Sequence, residues 1–237
     1  MKKYYVIAAL SGLLTIAGTA GAEEEEGFSG RVGLGYLAAS GNSDSESANG
    51  SFDLLWNYEP WHHSLNGRAI KSSASGVTTA EAFGLTAQSK YDLSEKSYVF
   101  GLFAFNSDEF SVIDKQTRAA LGYGRRIIET DKHVLNLELG AGQRWADLRD
   151  GTSEDELIYR VGGDYRWNIS ETSKFTQTLT IESGSSNTHT EAVSAVNASI
   201  LDTLALVLSF TVRNNSDVLP GIDKTDTFTA ISLEYTF

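Results

Sequence analysis

The 237-residue chain has no cysteine, which excludes a disulfide framework, a thiol nucleophile and a lipid-modified N-terminal cysteine. Basic residues are scarce: 19 Lys and Arg stand against 31 Asp and Glu, for a formal net charge of -12. Nucleic-acid binding is therefore disfavoured, because it needs basic side chains that neutralise phosphates. Only two prolines accompany 22 glycines, a composition typical of β proteins.

Long apolar runs are missing after the first 22 residues. The segment "MKKYYVIAALSGLLTIAGTAGA" has two lysines, a short apolar run and an Ala-Gly-Ala end, which predicts a cleaved Sec-type signal peptide over 1–22. The single mature domain is then expected over 23–237. Since no later stretch reaches roughly 18 apolar residues, a membrane location requires crossing by β-strands.

Segments of alternating apolar and polar residues recur along the mature chain, as in transmembrane barrels. They predict an all-β, antiparallel up-and-down transmembrane β-barrel of about twelve strands, near 28–40, 47–58, 61–73, 79–93, 97–106, 113–128, 133–147, 157–169, 174–183, 190–200, 204–214 and 226–237.

The breaks between these segments alternate in length. Short ones, such as Glu59-Pro60 and "LSEK" (93–96), take turns with longer polar ones, such as "SASGVT" (73–78) and "RDGTSEDE" (149–156). This pattern is typical of outer-membrane barrels with both termini in the periplasm. Aromatic residues near the short breaks predict a periplasmic girdle: Trp56, Tyr58, Trp61, Tyr91, Tyr98, Tyr165, Trp167, Tyr235 and Phe237. The alternative is a soluble β-sandwich or lipocalin-like barrel with core aromatics.

Two stretches carry a family resemblance. "LGYLAASGNSDSESANGSFDL" (34–54) resembles the opening hairpin of the proteobacterial salt-induced outer-membrane protein family, whose function is unknown. The terminal "LEYTF", with Leu233, Tyr235 and Phe237 on one strand face, is similar to the signal read by the barrel-assembly machinery. The resemblance implies a monomer in the bacterial outer membrane, induced by salt or stress, with outer-membrane lipid, lipopolysaccharide, the assembly machinery and periplasmic chaperones as partners. It implies no catalytic residue and no cofactor.

If the apolar face meets lipid, the charged face points into the barrel, since charges facing lipid at mid-depth cost about 2 to 4 kcal/mol for Arg or Lys. The basic residues predicted to point inward are Arg31, Arg68, Lys90, Arg118, Arg126, Arg144, Arg160, Arg166 and Arg213, and the acidic ones are Asp53, Asp92, Glu138, Asp164, Glu182 and Glu234. The excess of arginine favours an anion filter. A mutually paired network that fills a narrow interior is the alternative. Strands near 97–106 and 174–183 alternate poorly.

The longer loops are rich in acids, including Asp108, Asp150 and the run Glu154-Asp155-Glu156. Carboxylates bind divalent cations, which could bridge these loops to lipopolysaccharide. A solvated acidic surface is the simpler interpretation, because the spacing matches no calcium-loop motif. No metal-ligand spacing is present elsewhere.

The sharpest catalytic candidate is His62-His63-Ser64, because His62 and Ser64 share a strand face and Asn66 continues it. A serine hydrolase needs such a base and an orienting third group. However, these residues begin a strand at the periplasmic side and point inward, away from lipid. We therefore expect no enzymatic activity. The leading hypothesis is a small anion-preferring solute channel or a salt- and stress-responsive envelope protein; the alternatives are a closed structural or receptor barrel and an outer-membrane lipid hydrolase.

Overall fold

The computed structural model describes residues 27–39, 45–111, 113–218 and 223–237, and twelve strands account for most of them. The signal peptide predicted at 1–22 lies outside the described residues. Among those residues, no helix is long and apolar enough to span a membrane. The strands are β1 (Gly27–Ala39), β2 (Ser45–Tyr58), β3 (Trp61–Ala74), β4 (Val77–Ser94), β5 (Ser97–Asp108), β6 (Ile113–Glu129), β7 (His133–Leu148), β8 (Ser153–Asn168), β9 (Ser173–Ser183), β10 (Thr188–Leu201), β11 (Leu204–Asn215) and β12 (Thr225–Thr236).

Each strand pairs antiparallel with its neighbour in sequence, and β1 pairs with β12 to close the barrel. Across this seam Val32 lies opposite Tyr235 and Leu34 opposite Leu233. The Gly30 N–H donates to the Phe237 carbonyl at 2.9 Å, and the Phe237 N–H donates back to the Gly30 carbonyl at 3.0 Å. Among the described residues, closure means that neither β1 nor β12 is a free edge strand. The predicted twelve-stranded barrel is confirmed.

The two faces of the barrel wall have opposite chemistry. Outward side chains are large and apolar, such as Leu121 at 73% exposure and Leu34 at 69%. Inward side chains include buried charges, such as Glu138 and Arg144 at 3% each. This is the reverse of a soluble protein, whose charged residues are rarely fully buried. An apolar outer face around a polar interior suits a barrel surrounded by lipid.

The connections depart from the predicted lengths at two places. The break predicted at 73–78 is a two-residue hairpin turn, in which Ser75 has φ 52° and Gly76 has φ 77°. Left-handed backbone at both central positions is the geometry that matches the twist of the adjoining strands. In addition, β8 begins at Ser153 rather than near 157, because Ser153 already pairs with Asp147 of β7.

Aromatic rings line the outer face at the end of the barrel with the short turns. Trp61 packs edge-on against Tyr91, with ring centroids 4.9 Å apart, and Tyr235 stacks on Phe237 at 6.3 Å. The prediction that Tyr98 joins this girdle is wrong. Tyr98 pairs with Gly124 on the inward register of β5 and is 1% exposed.

Candidate functional site

The barrel interior is the candidate site, and the structure places every predicted inward charge on its inner face. Residues that pair across neighbouring strands share a face of the sheet, and the pairing links these charges: Arg31 is opposite Asp53, Arg118 opposite Arg144, and Glu138 opposite Gly162. The same parity puts the remaining charges inside: Arg68, Lys90, Asp92, Arg126, Arg160, Asp164, Arg166, Glu182, Arg213 and Glu234. Their role in solute passage stays a prediction.

The interior also contains charges that the sequence did not assign to it. They are Asp108, Glu156, Lys174, Glu191 and Asp226. Each lies at or near a strand end or on β9, where alternation in the sequence is weak. Because four of these five residues are acids, the predicted excess of arginine on the inner face does not hold. Ion preference must therefore depend on which charges are already paired.

Glu182 is the centre of one ion-pair cluster. It is 2% exposed and receives charged hydrogen bonds from Arg118 and, at 2.8 Å, from Arg160 Nη1. Arg160 also donates to the Thr180 hydroxyl at 3.4 Å. One carboxylate thus neutralises two buried guanidinium groups from β6 and β8, and the cluster joins strands that are not sequence neighbours.

Glu156 fixes the loop between β9 and β10. Its carboxylate pairs with Arg144 and accepts hydrogen bonds from the Ser186 N–H at 2.8 Å, the Ser186 hydroxyl at 2.9 Å and the Ser185 hydroxyl at 3.0 Å. These contacts hold residues 185 and 186 over the inner face. Although the sequence placed Glu156 in a solvated acidic loop, it is a buried structural group.

A third cluster spans β4 to β7 around Glu138. Its carboxylate lies 3.1 Å from Lys90 Nζ, accepts a 3.0 Å hydrogen bond from the Tyr98 hydroxyl and contacts Gln88 Nε2 at 3.3 Å. The Tyr98 ring lies flat over Gly124, where a Cβ would collide with it. Glycine at 124 is therefore what lets the tyrosine reach Glu138.

An apolar ridge runs along the inner face of β5. It comprises Tyr98, Phe100, Leu102 and Ala104, all buried against one another. Phe100 rests on the glycine-rich wall opposite, where Cβ atoms built on Gly122 and Gly140 would lie 2.5 and 3.3 Å from its ring. The ridge occupies one side of the interior, so open space is left along the other side.

The catalytic candidate at His62 is tied to other partners. His62 Nε2 lies 3.1 Å from Asp92 Oδ2, and its Nδ1 lies 3.2 Å from Asn57 Oδ1. Asp92 in turn accepts hydrogen bonds from Arg126 at 2.9 and 3.0 Å. His63, on the outer face, forms a hydrogen bond of 2.8 Å between its Nδ1 and the Ser89 hydroxyl. Within the described ranges, no cluster of three His, Cys, Asp or Glu side chains could hold a metal ion.

The acidic loop residues fall into separate environments. Asp150 is exposed and accepts hydrogen bonds from the Thr152 N–H at 2.9 Å and the Thr152 hydroxyl at 2.5 Å, and these bonds lower the pKa of its carboxyl. Asp108, by contrast, is buried at the end of β5 and accepts the Phe110 N–H at 2.9 Å. Asp150 and Asp108 therefore lie in separate environments, one exposed and one buried.

Three cavities follow one another through the interior. The mouth cavity, about 630 Å³, opens at the short turns and is lined by Lys174 and Glu234. The middle cavity, about 100 Å³, shares Glu234 with it and is lined by Arg68. The upper cavity, about 110 Å³, shares Asn106 with the middle one and is lined by Arg118, Arg160 and Glu182, among other residues. The shared wall residues place the three cavities next to one another along the barrel interior.

Arg68 is set apart from the paired charges. Within the part of the chain that the structure describes, it forms no ion pair, and its buried Nε, like those of Arg118 and Arg160, has no hydrogen-bond partner. Three carboxylates act on it electrostatically, and two of them are paired elsewhere: Asp53 lies 3.8 Å from Arg31, and Glu191 lies 2.7 Å from Arg213. The third, Glu234, lines the same cavity. A guanidinium in this position is available to an incoming anion.

Comparison with known proteins agrees with this architecture. The pattern of the family described as "Protein of unknown function, DUF481" matches residues 32–237. The chain belongs to the DUF481 family. The uncharacterized protein YdiY of Escherichia coli strain K12 is 28% identical to this DUF481 chain over 215 residues, or 90% of this chain and 85% of YdiY. The salt-induced part of the predicted resemblance stays a prediction.

Solved structures share the barrel fold of this DUF481 chain. The NanC porin superposes with a TM-score of 0.53 at 9% identity, over 88% of this chain and 98% of the porin. The translocator domain of the autotransporter NalP from Neisseria meningitidis gives a TM-score of 0.50 at 10% identity, over 91% and 90%. These structures show that the DUF481 chain has the fold of a closed antiparallel β-barrel, and its apolar outer face suits a barrel surrounded by lipid.

Proposed function

We propose that this DUF481 barrel is a small-solute channel with a weak preference for anions and no enzymatic activity. The observation that supports the proposal is the series of three neighbouring cavities, which have Glu234 and Asn106 as shared wall residues. Their small volumes limit passage to small solutes. Pore diameter and the charges that line it are the properties that set selectivity in channels of this kind.

The proposed anion preference rests on the cations that remain unpaired along this route. Among the described residues, neither Arg68 nor Lys174 forms an ion pair, and both line the cavities. Most inner-face carboxylates are already neutralised by their own partners, as Glu182 is by Arg118 and Arg160. Glu234, which lines both the mouth and middle cavities, offsets part of the positive potential. The preference should therefore be modest.

Planar-bilayer recordings test this function. We expect the purified barrel to give small discrete conductance steps, and a salt gradient to give a reversal potential of the sign for anion preference. The Arg68→Gln variant should move that potential toward zero, because it removes an unpaired lining charge. The matched control is Lys71→Gln, which removes a cation three residues away on the outer face of the same strand and should change nothing.

Cation preference in the wild-type recordings would contradict the proposed selectivity, and a folded but silent barrel would contradict the channel. Silence would favour the second candidate, a closed barrel that stabilises the envelope or acts as a receptor. Two observations favour that candidate: the interior charges are mostly paired, and the β5 ridge fills one side of the interior. Such paired networks suit a closed interior.

The lipid of the same bilayers tests the third candidate, an outer-membrane hydrolase. His62 already contacts Asp92 and Asn57, and this arrangement supports a structural role for the histidine. We expect the phospholipid to remain intact beside the folded barrel. Release of fatty acid, lost in a Ser64→Ala variant, would overturn the proposal that the chain is not an enzyme.

We also propose that the chain is a monomer induced by salt or envelope stress, on the strength of the hairpin at 34–54. Lipopolysaccharide, the barrel-assembly machinery and periplasmic chaperones are its proposed partners. Transferring the source bacterium to high salt should raise the abundance of the protein in outer-membrane fractions, measured by quantitative mass spectrometry against other barrels. Constant abundance across the salt shift would remove this part of the proposal.

A further inference from the structure

We infer that the middle cavity is a binding site for small monocarboxylates. In this site the Arg68 guanidinium holds the carboxylate, and an apolar wall holds a short alkyl group. The inference rests on the proposed function and refines it, because it names the class of anion that the interior would favour. It comes from three properties of the cavity: its free cation, its wall and its size.

The free cation provides the anion-recognition group. Arg68 has no ion pair among the described residues, and its buried Nε lacks a hydrogen-bond acceptor. A buried charge of this kind is costly unless it is paired. The planar guanidinium presents parallel N–H groups that match the two oxygens of a carboxylate. A carboxylate would therefore satisfy Arg68 better than chloride, which offers a single round acceptor.

One part of the cavity wall is apolar and can hold a short alkyl group. Small apolar side chains from four strands line this part, namely Ala82, Val193, Ala195, Val207 and Ala230, and polar side chains such as Asn66, Ser209 and Thr211 line the rest. Val193, Ala195 and Val207 are buried, so they offer no polar atom to replace the water around a hydroxyl group. An alkyl group would pack here without that desolvation cost. At this apolar part of the wall we expect an alkyl group to be preferred over a hydroxylated one.

The volume of the middle cavity and the charge of Glu234 further restrict the class of ligand. A cavity of about 150 Å³ is enough for benzene, which has six heavy atoms, whereas the middle cavity measures about 100 Å³. It therefore suits ligands of about four or five heavy atoms, such as acetate or propionate. Glu234 lines the same cavity and would repel a second negative charge. Phosphate and dicarboxylates should consequently be disfavoured.

Saturation-transfer NMR on the detergent-purified barrel tests the site without requiring any current. We expect propionate to bind saturably, with the strongest transfer at its methyl group, and phosphate and succinate not to compete at equal concentration. Arg68→Gln should weaken propionate binding by about tenfold or more, the usual effect of losing a charge-assisted hydrogen bond. Arg68→Lys should fall between the two, because it keeps the charge but loses the two-pronged geometry.

Lys71→Gln is the matched control, since it removes a cation from the outer face of β3, where Lys71 pairs with Glu81 at 2.7 Å. Propionate binding that survives Arg68→Gln, or phosphate binding as tightly as propionate, would overturn the site. A silent barrel that binds propionate would refute the channel but keep the site. A conducting barrel that prefers anions and ignores propionate would refute the site alone.

Discussion

Replacing Glu182 by alanine should lower the free energy of unfolding of the barrel by about 3 to 5 kcal/mol. Glu182 neutralises Arg118 and Arg160, and the two guanidinium groups are 8% and 4% exposed. Removal of the shared carboxylate would leave two uncompensated charges in the interior. Urea unfolding of the refolded barrel in lipid vesicles, followed by tryptophan fluorescence, measures the loss.

Glu81→Ala is the control for this prediction, because it also removes the carboxylate of an ion pair, the one with Lys71 on the exposed outer surface. Exposed pairs contribute about 0 to 1 kcal/mol, so the control should unfold close to wild type. If both variants lost the same small amount, water would be screening the interior pairs. The ion-pair clusters would then be unimportant for stability, and the case for a closed barrel would weaken.

The Glu182→Ala variant should change ion selectivity as well as stability. The upper cavity is lined by Arg118, Arg160 and Glu182 together. Loss of the carboxylate would expose two cations to the solute path, so any anion preference should increase while stability falls. A selectivity shift without a stability change would show that the cluster is a filter rather than a support.

The strand count and the two faces could be predicted from the sequence because strand side chains alternate with period two. In β8, for example, Arg160, Asp164 and Arg166 all fall on one face, while Tyr159, Val161, Tyr165 and Trp167 fall on the other. A slip by one residue would have put these charges in lipid. Alternation therefore determines the faces wherever the two chemistries differ.

The β5 ridge could not be predicted in this way, because both faces of β5 are apolar. Phe100 and Leu102 point inward, and Val99 and Phe103 point outward. A signal was nevertheless present on the adjacent strands: glycines at 122, 124 and 140 leave space for large rings. Glycines that align across paired strands indicate an inward aromatic neighbour.

The charge partners were also beyond the reach of the sequence. Arg118 and Glu182 are 64 positions apart and meet only because the closed barrel curves them together. The position of Glu156 was not predictable either, because a run of acids and serines is typical of a loop. In the structure, pairing with β7 extends β8 through this run. The sequence predicts which charged residues point inward on each strand. It does not predict which of them form ion pairs, because that depends on how the closed barrel brings the strands together.

Phe237→Ala should remove most of the folded barrel from the outer membrane. The Phe237 ring covers Gly30, where a Cβ would lie 2.6 Å from it, and its centroid is 6.1 Å from that of Phe28. Alanine keeps the two backbone hydrogen bonds to Gly30 but loses this packing at the β1–β12 seam. Aromatic pairs contribute about 0.5 to 1.5 kcal/mol beyond their buried area. The measurement is the heat-modifiable fraction on gels of outer-membrane preparations.

Phe210→Ala is the matched control, since Phe210 lies on the outer face of β11 with similar exposure, 46% against 53% for Phe237. Comparison of cells with refolding in detergent then separates two causes. Loss in cells with normal refolding in vitro would support recognition of Leu233, Tyr235 and Phe237 by the assembly machinery, whereas loss in both would mean that the ring acts through seam packing. Equal behaviour of the two variants would refute any special role for Phe237, and closure would then depend on the backbone bonds at Gly30, which both variants retain.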